Sequence, residues 1–184
     1  MLKYTILGFL GYAPMTGYDI KQRFDRSTTH FWHAKLSQIY ITLKTMEEDG
    51  WVTSTIQERK DRNDRRVYSI TALGQKEFQN WLVEPVLELS PKKETLVLKM
   101  FFSAGLDPQV AQAQLQVQLE LHLKQLDYYR QAAVQNIHSA LDEFPMLAKD
   151  ARMWEATRRF GEMYEEIYVC WIEEMIEEIK ANNP

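Results

Sequence analysis

Residues 35–50 read KLSQIYITLKTMEEDG, 51–57 WVTSTIQ, 58–64 ERKDRND and 65–70 RRVYSI, and this order decides the fold. In the first block Leu36, Ile39, Leu43 and Met46 follow spacings of three, four and three, which lays one apolar stripe along a helix. Gly50 is a C-terminal stop residue and ends that helix near Asp49. The next block is rich in β-branched and aromatic residues and reads as a strand. Glu58 to Asp64 is charged and carries Asn63-Asp64, a turn, so RRVYSI is the returning strand of a hairpin.

Reading toward the N-terminus, residues 2–12 form a short, almost wholly apolar helix that must be buried on most sides. Gly11 to Pro14 ends it. Thr16 and Asp19 stand at capping-box spacing and open a second helix from about Gly17 to Ser27. Thr28 to Ala34 is a loop carrying Phe31 and Trp32. Toward the C-terminus, Thr71 caps a fourth helix that runs to about Val83. Three helices, a hairpin and a helix within roughly 83 residues make the layout of a winged helix-turn-helix, a mainly α fold of the α+β kind.

A winged helix points to duplex DNA. At about 100° per residue, Ser37, Gln38, Ile41, Lys44 and Thr45 fall on the side of the third helix opposite its apolar stripe. That face is short and able to hydrogen-bond. Gln reads adenine, Ser and Thr are versatile, and Ile41 suits a thymine methyl group. The competing reading is a solvated polar face. The hairpin tip holds Arg59, Lys60, Arg62, Arg65 and Arg66 among Glu58, Asp61 and Asp64. Cations there suit phosphates; a self-neutralised loop is the alternative. Arg65 and Arg66 alternate across the strand, so only one faces DNA directly.

Glu84 to Ser90, with Pro85, is the best boundary. It separates residues 1–84, a DNA-binding domain, from residues 90–184, a helical region suited to dimerisation. Ser90-Pro91 and Asp107-Pro108 both read as helix starts, the first opening a helix over 92–104. From Ala111 to Leu123 apolar and polar residues alternate strictly, a strand signal. The Asp-Pro start, the length and the Ala, Leu, Gln and Glu content favour a helix to about Ser139, covered on more than one side. Phe144-Pro145 breaks it. In the last helix, 149–180, Trp154, Thr157, Gly161, Tyr164, Tyr168, Trp171 and Met175 form a heptad-like seam. Phe160, Ile167, Ile172, Ile176 and Ile179 widen it beyond one partner helix. Glu165, Glu166, Glu173, Glu174, Glu177 and Glu178 make the wet side. Trp154, Tyr164, Tyr168 and Trp171 suit either plain core and dimer interface or a pocket for a small aromatic effector.

The 184 residues suit one domain or two small ones, with 45% apolar and 26% charged side chains, which excludes bulk disorder. The net charge of −4 alone argues against nucleic acid. Residues 1–84, however, carry 12 basic and 10 acidic side chains and residues 85–184 carry 10 and 16, so the deficit belongs to the tail. No apolar run approaches the ~20 residues of a membrane span, and the expected setting is the cytoplasm. The one cysteine, Cys170, excludes an internal disulfide; with no basic neighbour it reads as an inert buried thiol. His30 and His33 stand three apart but lack a third ligand, so no metal is expected. No phosphate loop, Ser-His-Asp pattern or glycine-rich nucleotide turn is present. No cofactor is expected, and the chain does not read as an enzyme.

Three stretches carry a family resemblance: LKYTILGFLGYAPMTGYDIKQRF, FWHAKLSQIYITLKTMEEDGWV and DRRVYSITALGQKEFQNWL. They resemble the winged-helix domain of PadR-type transcriptional regulators over about residues 2–83. The specific pieces are Gly17-Tyr18, Phe31-Trp32, Gln38-Ile39-Tyr40, Glu47 through Gly50, and Asp64-Arg65-Arg66 with Tyr68, Thr71 and Gly74. The long tail resembles the larger, AphA-like subfamily. The resemblance implies a homodimer with interlocked tails on a two-fold-symmetric operator, usually a repressor released by phenolic acids or other small aromatic compounds. It implies that Tyr18, Lys21, Gln38 and Tyr40 lie near DNA, with Lys60 and Arg62 in the wing. Lys35 stands where the family often has a serine cap, and Ile41 and Asn63 where proline is frequent; the first two bear on operator sequence. The alternative is a winged helix kept for protein interaction or small-molecule sensing without specific DNA binding.

Overall fold

A computed structural model describes residues 1–27, 34–58, 64–89 and 93–182. The chain divides into two compact units, Met1–Ser90 and Pro91–Pro184.

The first unit contains α1 (Leu2–Tyr12), β1 (Met15–Thr16), α2 (Gly17–Ser27), α3 (Leu36–Glu48), β2 (Val52–Gln57), β3 (Arg65–Ile70) and α4 (Ala72–Val83). The strands form one antiparallel sheet in the order β1-β3-β2. β2 and β3 pair from Val52 opposite Ile70 to Gln57 opposite Arg65, and β1 sets Met15 against Tyr68. Two residues are too few to show alternation, so β1 was not legible in the sequence. The core joins Ile6, Leu7 and Leu10 of α1, Ile20 and Phe24 of α2, the predicted stripe Ile39, Leu43 and Met46 of α3, and Val52 and Tyr68 of the sheet. The apolar first helix is covered because it meets α2, α3, α4 and β3 together.

Turn chemistry holds these elements in place. Gly50 takes φ +74°, the left-handed conformation that suits glycine at a helix end. Thr71 caps α4: its hydroxyl accepts from Gly74 N–H at 3.0 Å and donates to the Gly50 carbonyl at 2.7 Å. Gly74 packs so closely on the Trp51 backbone that a Cβ there would overlap the Trp51 carbonyl oxygen. Tyr4 then stacks on Trp81, with centroids 4.9 Å apart, and ties α1 to α4.

The second unit contains α5 (Thr95–Phe101), α6 (Pro108–Arg130), α7 (Ala132–Glu143) and α8 (Ala148–Asn182). Glu94, not Ser90, is the residue before α5, and Lys93 and Glu94 are not helical. The Ser90-Pro91 start itself lies outside the described residues. Asp107 caps α6 as expected, accepting from Gln109 N–H at 2.8 Å. The alternating stretch is helical: capping and composition outweigh the period-two pattern.

Three expectations for the tail need correction. The long helix breaks at Gln131, whose ψ is −77°. Arg158 of α8 donates to the Tyr129 carbonyl at 2.8 Å, so a side chain captures an oxygen that a continuous helix would use. Only one side of α6 is covered, through Ala111, Leu115, Leu119, Leu126 and Tyr129, while Val110, Val117 and Leu121 stay exposed. The seam of α8 is rotated from the predicted one. Its buried row is Ala151, Gly161, Glu165, Val169, Ile172 and Ile176. Thr157 is exposed, and so are Phe160 (66%) and Ile167 (69%). Glu165, predicted wet, is buried because His122 Nδ1 lies 2.5 Å from its carboxylate. A glutamate with an opposite partner can lie inward, which periodicity of charge alone does not reveal.

Candidate nucleic-acid interface

The interface is built on α3, and α2 and the hairpin position it. Ser37, Gln38, Ile41, Lys44 and Thr45 are all exposed, opposite the buried Ile39, Leu43 and Met46. Ile41 is 68% exposed and lies nearly diametrically across the helix from the core stripe.

Lys35 has no side-chain acceptor to offer at the helix start. Gln38 supplies only the returning half of a capping box: its Oε1 accepts from Lys35 N–H at 2.9 Å. The residue expected to read adenine therefore already has its acceptor oxygen engaged. Thr42 and Thr45 commit their hydroxyl hydrogens to the carbonyls of Gln38 (2.8 Å) and Ile41 (3.3 Å).

α2 is fixed by the predicted box. Thr16 N–H donates to Asp19 Oδ2 at 3.0 Å, the Thr16 hydroxyl donates to the same oxygen at 2.7 Å, and Asp19 N–H donates back to the hydroxyl at 3.1 Å. Burial disfavours the Asp19 charge, but the Thr16 hydrogen bonds and the charges of Arg65 and Arg23 outweigh it and hold the carboxyl below the usual range. Gly17 lets α3 approach, since a Cβ there would come within 2.6 Å of the Tyr40 ring. Tyr40 thereby rests on the start of α2, with Tyr18 exposed nearby in sequence.

The cations differ in role. Lys21 pairs with Asp25 and Lys44 with Glu48, the latter at 3.9 Å. Exposed pairs of this kind are worth about 0.2–1 kcal/mol, little enough for a phosphate to replace the partner. Arg66 is different. It donates through Nη2 to Glu47 Oε2 at 2.6 Å and through Nε to the Ser54 hydroxyl at 2.8 Å, while Ser54 donates to Glu47 Oε1 at 2.6 Å. It braces the hairpin against α3. The exposed Arg65 faces the other way, and its charge reaches Asp19. The alternation in the sequence thus separates a brace from an outward cation. Lys60 and Arg62, predicted for the wing, lie outside the described residues, as do Phe31, Trp32, His30 and His33.

The model of the transcriptional regulator PadR-like family matches residues 6–80, and that of the virulence activator alpha C-terminal region matches residues 92–180. The negative transcriptional regulator PadR of Bacillus subtilis is 29% identical over 186 residues, covering 96% of each chain. The chain carries the PadR-like family's winged-helix domain joined to a virulence-activator-type helical C-terminal region. A crystal structure of B. subtilis PadR in complex with operator DNA superposes with a TM-score of 0.80 at 26% identity, over 97% of this chain and 98% of that one. The same protein in complex with p-coumaric acid gives 0.74 at 27% identity over 97% and 98%. The Vibrio cholerae virulence activator AphA gives 0.73 at 27% identity over 98% and 99%. These relatives are regulators of transcription, not enzymes.

The PadR-like motif pieces now have physical reasons. Gly17 makes room for Tyr40, Glu47 and Arg66 brace the hairpin, and Gly74 admits the Trp51 carbonyl. The brace was missed in the sequence, although the tandem Arg65-Arg66 and the Glu47 of the motif were its signal. In the second unit, Tyr164 and Tyr168 donate their hydroxyls to Glu94 at 2.6 and 2.7 Å. His122 stacks on Tyr168 with centroids 4.2 Å apart. Burial and the Glu94 carboxylate push Tyr164 up to about 12 and Tyr168 higher. Tyr168 also contacts the Tyr164 ring and, edge-on, the Trp171 ring, with centroids 5.4 and 6.0 Å apart; Trp171 lines a shallow groove with Met163, Ile167 and Cys170, and Trp154 is half-buried elsewhere on α8. Three of the four predicted aromatics, Tyr164, Tyr168 and Trp171, thus form one cluster. Cys170 is exposed rather than buried, and the Glu174 hydrogen bond and charge raise its thiol. Among the described residues no helix is long and apolar enough to cross a membrane, and no group of three side chains is arranged to hold a metal.

Proposed function

We propose that this chain is a cytoplasmic, homodimeric repressor that places α3 in the major groove of a two-fold-symmetric operator and is released by a small phenolic acid. The observation that carries the reading is the exposed face of α3, held out by a fully buried opposite stripe and flanked by exchangeable lysine pairs. Ser37, Gln38, Ile41 and Lys44 face the bases and backbone from α3. Tyr18, Lys21, Tyr40 and Arg65 meet phosphates at its flanks, with Lys60 and Arg62 in the wing. Residues 1–84 form the reading domain and residues 90–184 the dimerisation region.

The dimer reading is supported by apolar side chains that the second unit leaves in water. Met153, Phe160 and Ile167 recur every seven residues on α8, and Val110 and Val117 do so on α6. Exposed rows of this kind mark association surfaces. The relation to B. subtilis PadR supports repression and a phenolic effector. The Tyr164–Tyr168 cluster is not the binding place proposed for such an acid, because Glu94 and Glu165 already bring two carboxylates to it.

Fluorescence anisotropy of the full chain on a duplex from its own upstream region tests the reading. Affinity should fall steeply with salt and exceed that for a scrambled duplex by a factor of about 10³ or more. p-Coumaric acid should release the complex. Equal affinity for both duplexes at physiological salt would favour the protein-interaction alternative.

A further inference from the structure

Part of the hydrogen-bonding capacity of the reading face of α3 is already used within the helix. Gln38 Oε1 is engaged by Lys35 N–H, and the Thr42 and Thr45 hydroxyl hydrogens are engaged by the helix's own carbonyls. Lys44 offers a point charge paired to Glu48. At the centre of this face stands Ile41, 68% exposed, with Ser37 one turn before it and Lys44 and Thr45 one turn after. A scattered exposed apolar residue needs no explanation. This one sits on the axis of the face, where a helix in the major groove approaches the base edges most closely.

We infer that Ile41 is the specificity-determining residue, and that it selects a 5-methylpyrimidine, thymine in unmodified DNA, by apolar contact with its methyl group. The inference rests on the DNA-binding reading above and deepens it: Gln38 serves first as the cap of α3, and Ile41 does the discriminating. Thymine is the one base of unmodified DNA that presents an apolar group in the major groove. A branched side chain in that position loses little rotamer freedom on contact. Uracil keeps every hydrogen-bonding group of thymine and lacks only the methyl, so it isolates the proposed contact.

The test begins with selection from a randomised duplex pool by the full-length wild-type chain. The enriched duplex is then synthesised with thymine, with uracil at each thymine position in turn, and with 5-methylcytosine-substituted variants. Affinities are measured for wild type and Ile41→Ala, with circular dichroism confirming that both are folded. Wild type should lose about fourfold in affinity at one uracil position in each half-site, the worth of a buried methyl group. Ile41→Ala should bind the thymine and uracil duplexes equally. Where the contacted thymine is replaced by 5-methylcytosine, more wild-type affinity should survive than with plain cytosine. If the wild type shows no thymine-to-uracil loss, or if Ile41→Ala shows the same loss, the inference is overturned while the DNA-binding reading stands. If selection enriches no sequence, both are overturned.

Discussion

The two units bury their side chains differently. Of the ten largest fully buried side chains, eight lie in the first unit and only Leu115 and Ile172 in the second. The first unit closes a core from four helices and a sheet, and the residues it leaves outside on α3 are mostly short and polar. The second unit is held along α6 and α8 by mixed means: an apolar row, the His122–Glu165 pair, and Arg130 and Arg158 reaching Glu162. It leaves Phe160, Ile167 and Val117 in water. The first surface is what a nucleic-acid reader needs. The second is the kind of surface that the proposed dimer would cover.

The glycines sharpen this contrast most strongly. Gly74→Ala drives a methyl group into the Trp51 carbonyl, which cannot move without breaking the Thr71 turn. The first unit should lose about 3 kcal/mol, read as a lowered urea midpoint. Gly161→Ala meets the Tyr129 ring instead. A side chain can swing aside, so the second unit should lose only about 1–2 kcal/mol. Equal costs would mean that the two units are packed with the same rigidity.

The pH dependence comes next, read on groups from each unit. Asp19 has its carboxyl lowered on folding, so its contribution is full above the ordinary value of 3.8 and is lost as pH falls through the lower folded value. Asp19→Asn should cost about 1 kcal/mol at neutral pH, and the difference from wild type should vanish in acid. Tyr129 and Tyr164 are raised to about 12, by burial first and by neighbouring carboxylates after it. Their contribution is full below 10.0 and is lost as pH rises through the folded value, because the unfolded rings ionise first. Tyr164→Phe should flatten the alkaline limb of thermal stability and leave the acid limb unchanged. An unchanged alkaline limb would remove Tyr164 from the pH dependence.

The smallest expected effect is Lys44→Ala. Stability should change by less than about 0.5 kcal/mol, since the Glu48 pair is long and exposed. The slope of log affinity against log salt on the upstream duplex should fall by about one. An unchanged slope would remove Lys44 from the phosphate contacts.

Much of this was legible in the chain because local signals agreed. The 36, 39, 43, 46 stripe, Gly50, the capping residues Thr16, Thr71 and Asp107, and the β-branched hairpin all pointed to the elements that form. What was hidden depended on partners distant in sequence. Glu165 reads as one of six wet glutamates until His122, 43 residues earlier, stands beside it. The Tyr129 carbonyl beside the break at Gln131 is met by Arg158, and Gly161 admits the Tyr129 ring. At the reading face, the residue types and their side of the helix were legible. That Gln38 is occupied as a cap was not, because a glutamine three residues after the helix start reads equally well as an outward polar side chain.

The division of labour between the units is tested most directly by the DNA affinity of the Phe160→Asp/Ile167→Asp double variant, confirmed monomeric by sedimentation. Both positions lie on α8 in the second unit, whereas the reading face belongs to α3 in the first. Pairing makes the second half-site contact intramolecular and raises affinity by about 10²–10⁴. The variant should therefore bind the upstream duplex at least about a hundredfold more weakly than wild type. A monomer that binds as tightly as wild type would contradict the account.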